Sequence, residues 1–185
     1  VVDQGNSAPV ADAGGPYHVD HDEPIELDGG GSFDLDEPEG DAIRFWDWEV
    51  DFEDPLDFDD GVTGERPTLP AGFFAPGQYD IAVRVTDDAG NTDEAFTTVT
   101  VHVPMPDADF TITSDPVAPG DAVNFDGSPS SHANPNRSIV RWKWDFDGDG
   151  KFDQDNSTGR TTHAYARFGE FNVTLRGNDD RGRRT

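Results

Sequence analysis

The chain has 185 residues, no cysteine, and 39 acidic against 13 basic side chains, for a formal net charge of -26. So acidic a surface repels nucleic acid and anionic lipid, whose binding depends on Lys and Arg neutralising phosphate, and the missing thiols exclude disulfide staples and thiolate chemistry. Even so, 13 Phe, 4 Trp and 3 Tyr give more aromatic surface than acidic disordered segments carry, so the chain is expected to fold.

Along the chain the apolar period is two, not 3.6. Turn signals come first, at Gly14-Gly15-Pro16 and Asp28-Gly29-Gly30-Gly31. The run Ile43 to Val50 then reads as a strand with Trp46, Trp48 and Val50 on one face. Tyr79, Ile81, Val83 and Val85 alternate with polar or small residues, and Phe96 with Val99 to Val103 supplies a further half-buried strand. Pro104-Met105-Pro106 removes backbone donors and enforces extended geometry, which marks a short stiff linker and a boundary between 1–104 and 105–185. Beyond it the pattern repeats. Ile43 to Trp48 recurs 96 positions on as Ile139 to Trp144, and Gly77 to Val83 recurs 92 positions on as Gly169 to Leu175, so the chain contains a duplication. Trp142, Trp144 and Phe146 are the second set of core anchors, and Phe171, Val173 and Leu175 the second alternating strand. About seven short strands per ninety residues, with no helical stripe, describe an all-β chain of two tandem immunoglobulin-like β-sandwiches. With no disulfide available, aromatic packing must close the cores.

The residues Ala11 to Tyr17, Leu27 to Asp36, the Trp-x-Trp strand and Tyr79 to Gly90 together resemble a PKD (polycystic kidney disease) domain, and the second copy is similar, most clearly over Trp144-Asp145-Phe146-Asp147-Gly148-Asp149-Gly150. The resemblance implies a seven-stranded sandwich used as an extracellular spacer or interaction module in surface-layer proteins, secreted hydrolases and adhesins. Two departures stand out. Trp48 to Asp54 lacks the glycine-bearing turn usual in the family, and the second copy stops at Thr185, short of a counterpart to the strand Ala95 to Val101, so as given it lacks its last strand.

The clearest chemistry is that of hard cations. Asp145, Asp147, Asp149 and Asp153 occupy positions 1, 3, 5 and 9 of a calcium-loop template with Gly150 at position 6, but position 12 is Asn156 and no helices flank the loop. The alternative is an acidic turn whose side chains cap their own backbone. A second calcium site is implied by the family resemblance at Asn6, Asp34 and Asp36, with Asp41 nearby; in the second copy His132 and Asn134 stand at the places of Asp34 and Asp36, which confines that site to the first. The bland reading of both clusters, and of the run Asp51, Glu53, Asp54, Asp57, Asp59 and Asp60, is hydrated surface acid. No other cofactor is expected. Three glycosylation sequons begin at Asn136, Asn156 and Asn172, all in the second copy, and Asn172 is out of phase with the core positions around it.

No histidine pair at zinc-helix spacing, nucleophile elbow or phosphate loop appears, so the chain is read as no enzyme. It is read as a stalk or spacer in a surface layer, fibre or virion, with an accessory module that carries a secreted hydrolase to polysaccharide or protein as the alternative. Sugar binding would call for an exposed coplanar pair among Phe45, Phe73, Phe74 and Phe168. With 30 Asp to 9 Glu and only Lys143 and Lys151 for lysine, the composition suits near-saturating salt, where charges are screened over roughly 3 Å, and a haloarchaeal source is expected over an acidic mesophilic one. No start methionine or leader pattern is present, so the chain reads as an excised or processed piece. No segment reaches the roughly 18 apolar residues of a membrane span. The charge is uneven: residues 1–104 hold 26 acids and 3 bases, and 105–185 hold 13 acids and 10 bases. The near-neutral second copy is therefore expected to meet protein partners, with the acidic first copy projecting into brine.

Overall fold

Alternating apolar positions bury one face of a strand and leave the other in water, and a chain built of such segments has to stack its sheets. The computed structural model describes residues 6–35, 40–51, 57–114 and 118–185, and among them it contains strands and no helix. The chain divides into two compact units, Val1–His102 and Val103–Thr185.

Unit one has seven strands: β1 (Tyr17–Asp20), β2 (Ile25–Glu26), β3 (Ile43–Glu49), β4 (Val62–Thr63), β5 (Thr68–Leu69), β6 (Gly77–Asp87) and β7 (Thr92–His102). Five of them form one sheet in the order β1-β7-β6-β3-β4, and β2 pairs with β5. All neighbours are antiparallel except β1, which runs parallel to β7. Ile25 and Leu69 from the small sheet share one core cluster with Trp48, Ile81, Val83, Val85, Val99 and Val101 from the large one, which makes the unit a sandwich. Each such side chain contributes about 1.5–3 kcal/mol by leaving water. A bulge between Ile43 and Phe45 sets both Ile43 and Trp46 against this core and leaves Phe45 outside, 59% exposed. Phe96, read from sequence as part of the half-buried alternation, is also 59% exposed. Val99 and Val101 take the inward parity of β7, and an even-numbered position three residues earlier must face out.

Unit two comprises β8 (Pro106–Asp107), β9 (Thr111–Ile112), β10 (Ala122–Asp126), β11 (Ser131–His132), β12 (Ile139–Asp145), β13 (Gln154–Asn156), β14 (Arg160–Ala164) and β15 (Thr174–Asp179). Its sheets run β13-β12-β15, β14-β10-β9 and β11-β8. β15 is an edge here, whereas its counterpart β6 is flanked by β7. The hydrogen-bonded ladder begins at Thr174, so Phe171 and Val173, expected within a strand, lie outside it and are half-buried. The core is built from rings: Trp144 lies 5.6 Å from Phe125 and 6.0 Å from Phe146, which stacks on His163 at 4.4 Å. The bulge recurs between Ile139 and Arg141. Trp142 donates its indole N–H to the Gly127 carbonyl at 2.8 Å, and a Cβ on Gly127 would sit 2.8 Å from that ring, so only glycine lets the turn approach so closely. Trp46 makes the matching bond to Gly29 in unit one.

Candidate metal centre

At one end of unit one, three separate segments bring carboxylates together. Val10 and Phe33 form an isolated antiparallel bridge, which pins the entering chain beside Asp34. Asp41 lies two residues before the start of β3, and Asp87 ends β6. Oxygens of Asp34, Asp41 and Asp87 all lie within 4.8 Å of one another. Two oxygens held about 2.4 Å from one calcium ion can be at most about 4.8 Å apart, so the spacing fits a shared hard cation.

The surroundings fix these groups. Asp87 accepts the Asn91 backbone amide at 2.7 Å and the Asn91 side-chain amide at 2.8 Å. Asn91 also donates to Asn6 Oδ1 at 2.9 Å, and Asn6 donates to Asp41, so the N-terminal segment is tied into the cluster. Asp41 Oδ1 is buried with no hydrogen-bond partner among the described residues. Burial, together with repulsion from Asp87 and Asp34, raises the Asp41 carboxyl above the usual range against one opposing amide. Burial pushes Asp87 the same way, but the Asn91 side chain and the amides of its turn outweigh it, and that carboxyl sits low. Mutual repulsion, an orphaned buried oxygen and an all-oxygen donor set fit calcium. Of the residues expected here, Asn6 and Asp34 are in the cluster and Asp36 lies outside the described residues. Asp41, expected only as a neighbour, is a member, and Asp87 was missed. No local motif set it apart: the run Thr86-Asp87-Asp88 recurs as Asn178-Asp179-Asp180 in the copy where no such site was expected.

The same place in unit two is filled differently. The retained carboxylate is Asp179, whose backbone amide bonds to Arg183 O at 3.0 Å just as that of Asp87 bonds to Asn91 O at 3.0 Å. His132 stands for Asp34, Arg137 for Asp41 and Arg183 for Asn91. His132 Nε2 lies 3.7 Å from Asp179 Oδ2, and both side chains are fully buried. His132 Nδ1 accepts the Asn134 amide at 3.0 Å, which places a proton on Nε2, facing the carboxylate. Arg183 Nη1 is 3.8 Å from the same oxygen, and Arg137 Nη1 is 3.9 Å from Asp180.

The second expected site, in the β12–β13 loop, brings Asp145, Asp147 and Asp149 together but not Asp153. Its carboxylates serve the loop's own backbone. Asp145 accepts the amides of Gly148 at 2.7 Å and Gly150 at 2.9 Å, where positive φ of 76° and 83° requires glycine. Asp149 accepts the Lys151 amide at 2.8 Å and its ammonium at 3.3 Å, which together lower its carboxyl. Asp153 accepts the Phe146 amide at 2.8 Å.

Unit one has a buried acid at the place of Asp145. Glu49 accepts the amides of Phe58 at 2.9 Å and Asp51 at 3.3 Å, and burial raises it, with Asp60 adding to the shift. Glu53 and Asp54 of the acidic run fall outside the described residues. Asn136 and Asn172 are exposed, whereas Asn156 uses its side-chain oxygen to hold Thr158 and Gly159 in a turn. Phe73 and Phe74 meet edge to face at 89°, and Phe74 stacks on Tyr79, so that pair forms no flat platform.

The architecture is that of two immunoglobulin-like sandwiches in tandem. The family model for the PKD domain matches twice, over residues 6–103 and 103–185, and the chain belongs to that family. Among solved structures it is similar to the PKD1 domain of Vibrio anguillarum Epp, at 23% identity and a TM-score of 0.37 over 54% of this chain and 100% of that one. It is also similar to the fibronectin(III)-like modules of Clostridium thermocellum CbhA, at 13% identity and a TM-score of 0.37 over 96% and 88% of the two chains. Carbohydrate-binding modules of the β-sandwich superfamily match at 15% identity and a TM-score of 0.42 over 92% and 84%. PKD domains are typically non-catalytic interaction modules of extracellular or surface proteins. No helix among the described residues is long and apolar enough to cross a membrane.

Proposed function

We propose that this chain is a stalk or spacer segment of a larger extracellular assembly working in high salt, with its first unit braced by calcium. The ion would be held by Asp34, Asp41 and Asp87, with the Asn6 side-chain oxygen close by. One observation carries this reading: the three carboxylates converge at the place where unit two sets His132 and Arg183 against Asp179. Where one copy sets an imidazole N–H and a guanidinium against its carboxylate and the other gathers carboxylates, an ion from solution can do the same work. Bound calcium would neutralise the cluster and tie the entering segment to the β6–β7 turn. A spacer gains from that, because its entry point becomes part of the rigid body. The surplus of 26 acids over 3 bases in residues 1–104 supports a briny setting, where screening removes most of the self-repulsion.

Melting in molar salt, with calcium and then with chelator, tests the reading. The first unit should lose roughly 10 °C on chelation, from a binding contribution of about 2.7 kcal/mol at a hundredfold excess over Kd. An unchanged midpoint, or the same calcium response in Asp41→Ala plus Asp87→Ala, would sink it.

A further inference from the structure

The parallel pairing of β1 with β7 sets His18 opposite Thr100 and Asp20 opposite His102. That register brings two imidazoles from the first and last strands of unit one into contact. His18 Nδ1 lies 3.1 Å from His102 Nε2, and the rings stack at 22° with centroids 5.3 Å apart. Both residues are half-buried.

Two ring nitrogens facing each other at this distance share one proton, with one ring donating and the other accepting. The same spacing suits a shared metal ion. Imidazole nitrogens bound tetrahedrally to zinc at about 2.0–2.1 Å are separated by about 3.3 Å, close to the observed spacing, and each ring would turn to aim its lone pair at the ion instead of at the other ring. We propose that His18 and His102 form a two-imidazole site for a borderline transition-metal dication, with Zn²⁺ as its simplest occupant. On binding, the proton between the rings moves to the outer nitrogen of the ring that carried it. Each neutral imidazole then offers a lone pair to the ion, and water completes the coordination. Because the ligands sit on paired strands, little rotamer freedom is left to lose. The site is chemically distinct from the carboxylate cluster, since calcium takes oxygen ligands while imidazole selects zinc, nickel and copper. Nearby His21 is held by its own bond, Nδ1 donating to the Phe74 carbonyl at 2.9 Å, and serves as the control.

The test uses the whole chain in calcium-saturated buffer, so that carboxylate sites are already occupied, with zinc chloride as titrant. Calorimetry should show about one zinc per chain, and the melting point of unit one should rise by roughly 10 °C at a hundredfold excess over Kd. His18→Asn and His102→Asn should each weaken binding at least tenfold, and His21→Asn should not. In the wild-type chain, zinc should move the imidazole NMR resonances of His18 and His102 and leave those of His132 and His163 in place, a readout that stands even where a variant fails to fold. Absence of zinc binding in calcium, undiminished binding by His18→Asn plus His102→Asn, or resonance shifts confined to other histidines would overturn the proposal.

Discussion

At the end of β6 in unit one and of β15 in unit two, the same scaffold holds the same aspartate and gives it different company. Asp87 faces Asp34 and Asp41, whereas Asp179 faces His132 and Arg183. A buried carboxylate is tolerated only with a compensating partner, which can be part of the chain or come from solution. Unit two carries its partner covalently and keeps it at any ion concentration. On the proposed reading unit one takes its compensation from the medium, and its stability would then follow what the medium contains. A second comparison shows a likeness: Asp145 is turned onto the amides of Gly148 and Gly150, and Glu49 at the equivalent place onto those of Phe58 and Asp51, with burial and the neighbouring Asp60 raising the Glu49 carboxyl.

The comparison can be broken most sharply in unit two. His132→Ala removes a buried ring beside Asp179 and leaves Arg183 and the amides of its turn as that carboxylate's partners, which should cost about 3 kcal/mol, seen as a drop in the unit's urea midpoint that calcium does not restore. Calcium chelation, worth about 2.7 kcal/mol as above, should lower the melting of unit one and leave unit two unmoved, and calorimetry that resolves the two transitions checks this. Asp41→Arg, which copies Arg137 into unit one, should raise stability in chelator by about 1–2 kcal/mol and abolish the calcium response. The smallest effect is at Glu49. Its carboxyl is raised by burial, so the stability it lends is present at low pH and is lost as pH rises through its elevated folded-state value. Glu49→Gln should therefore flatten the acid-side pH profile of unit one and stabilise it by about 1 kcal/mol at neutral pH, as measured by denaturant melts across pH.

Much of this architecture could be read from residues alone, because it follows from period-two patterning and from a repeat long enough to align. Trp48, Ile81 and Val83 on one side, and Trp144, Phe146 and Leu175 on the other, are buried as their parity requires. The bulges escape such a reading, since an extra residue shifts the phase without leaving any composition signal; Ile43 and Trp46 face the core three positions apart for that reason. Half of the cation cluster was legible through the family resemblance. Asp87 was not, because a local pattern cannot say that the end of β6 folds back on the segment before β3. How the basic residues of unit two are engaged was beyond a local pattern for a related reason. Arg141 and Lys143 pair with Asp155, Arg160 pairs with Asp126, and Arg176 lies 4.2 Å above the Phe152 ring. Arg183 is turned to the buried Asp179 and Arg137 to the exposed Asp180, with side chains only 20% and 11% exposed. Net charge records how many bases there are and says nothing of how many are already engaged.

The parallel alignment of β1 with β7 bears on how unit one takes a load. Tension applied through the two ends of the unit draws β1 toward its N-terminus and β7 toward its C-terminus, so the strands are pulled past each other along their common axis. Every rung from Tyr17–Val99 to Asp20–His102 then resists at once, in shear, instead of opening one after another like a zip. A segment strung between neighbours would hold its length under pull because its first and last strands run the same way.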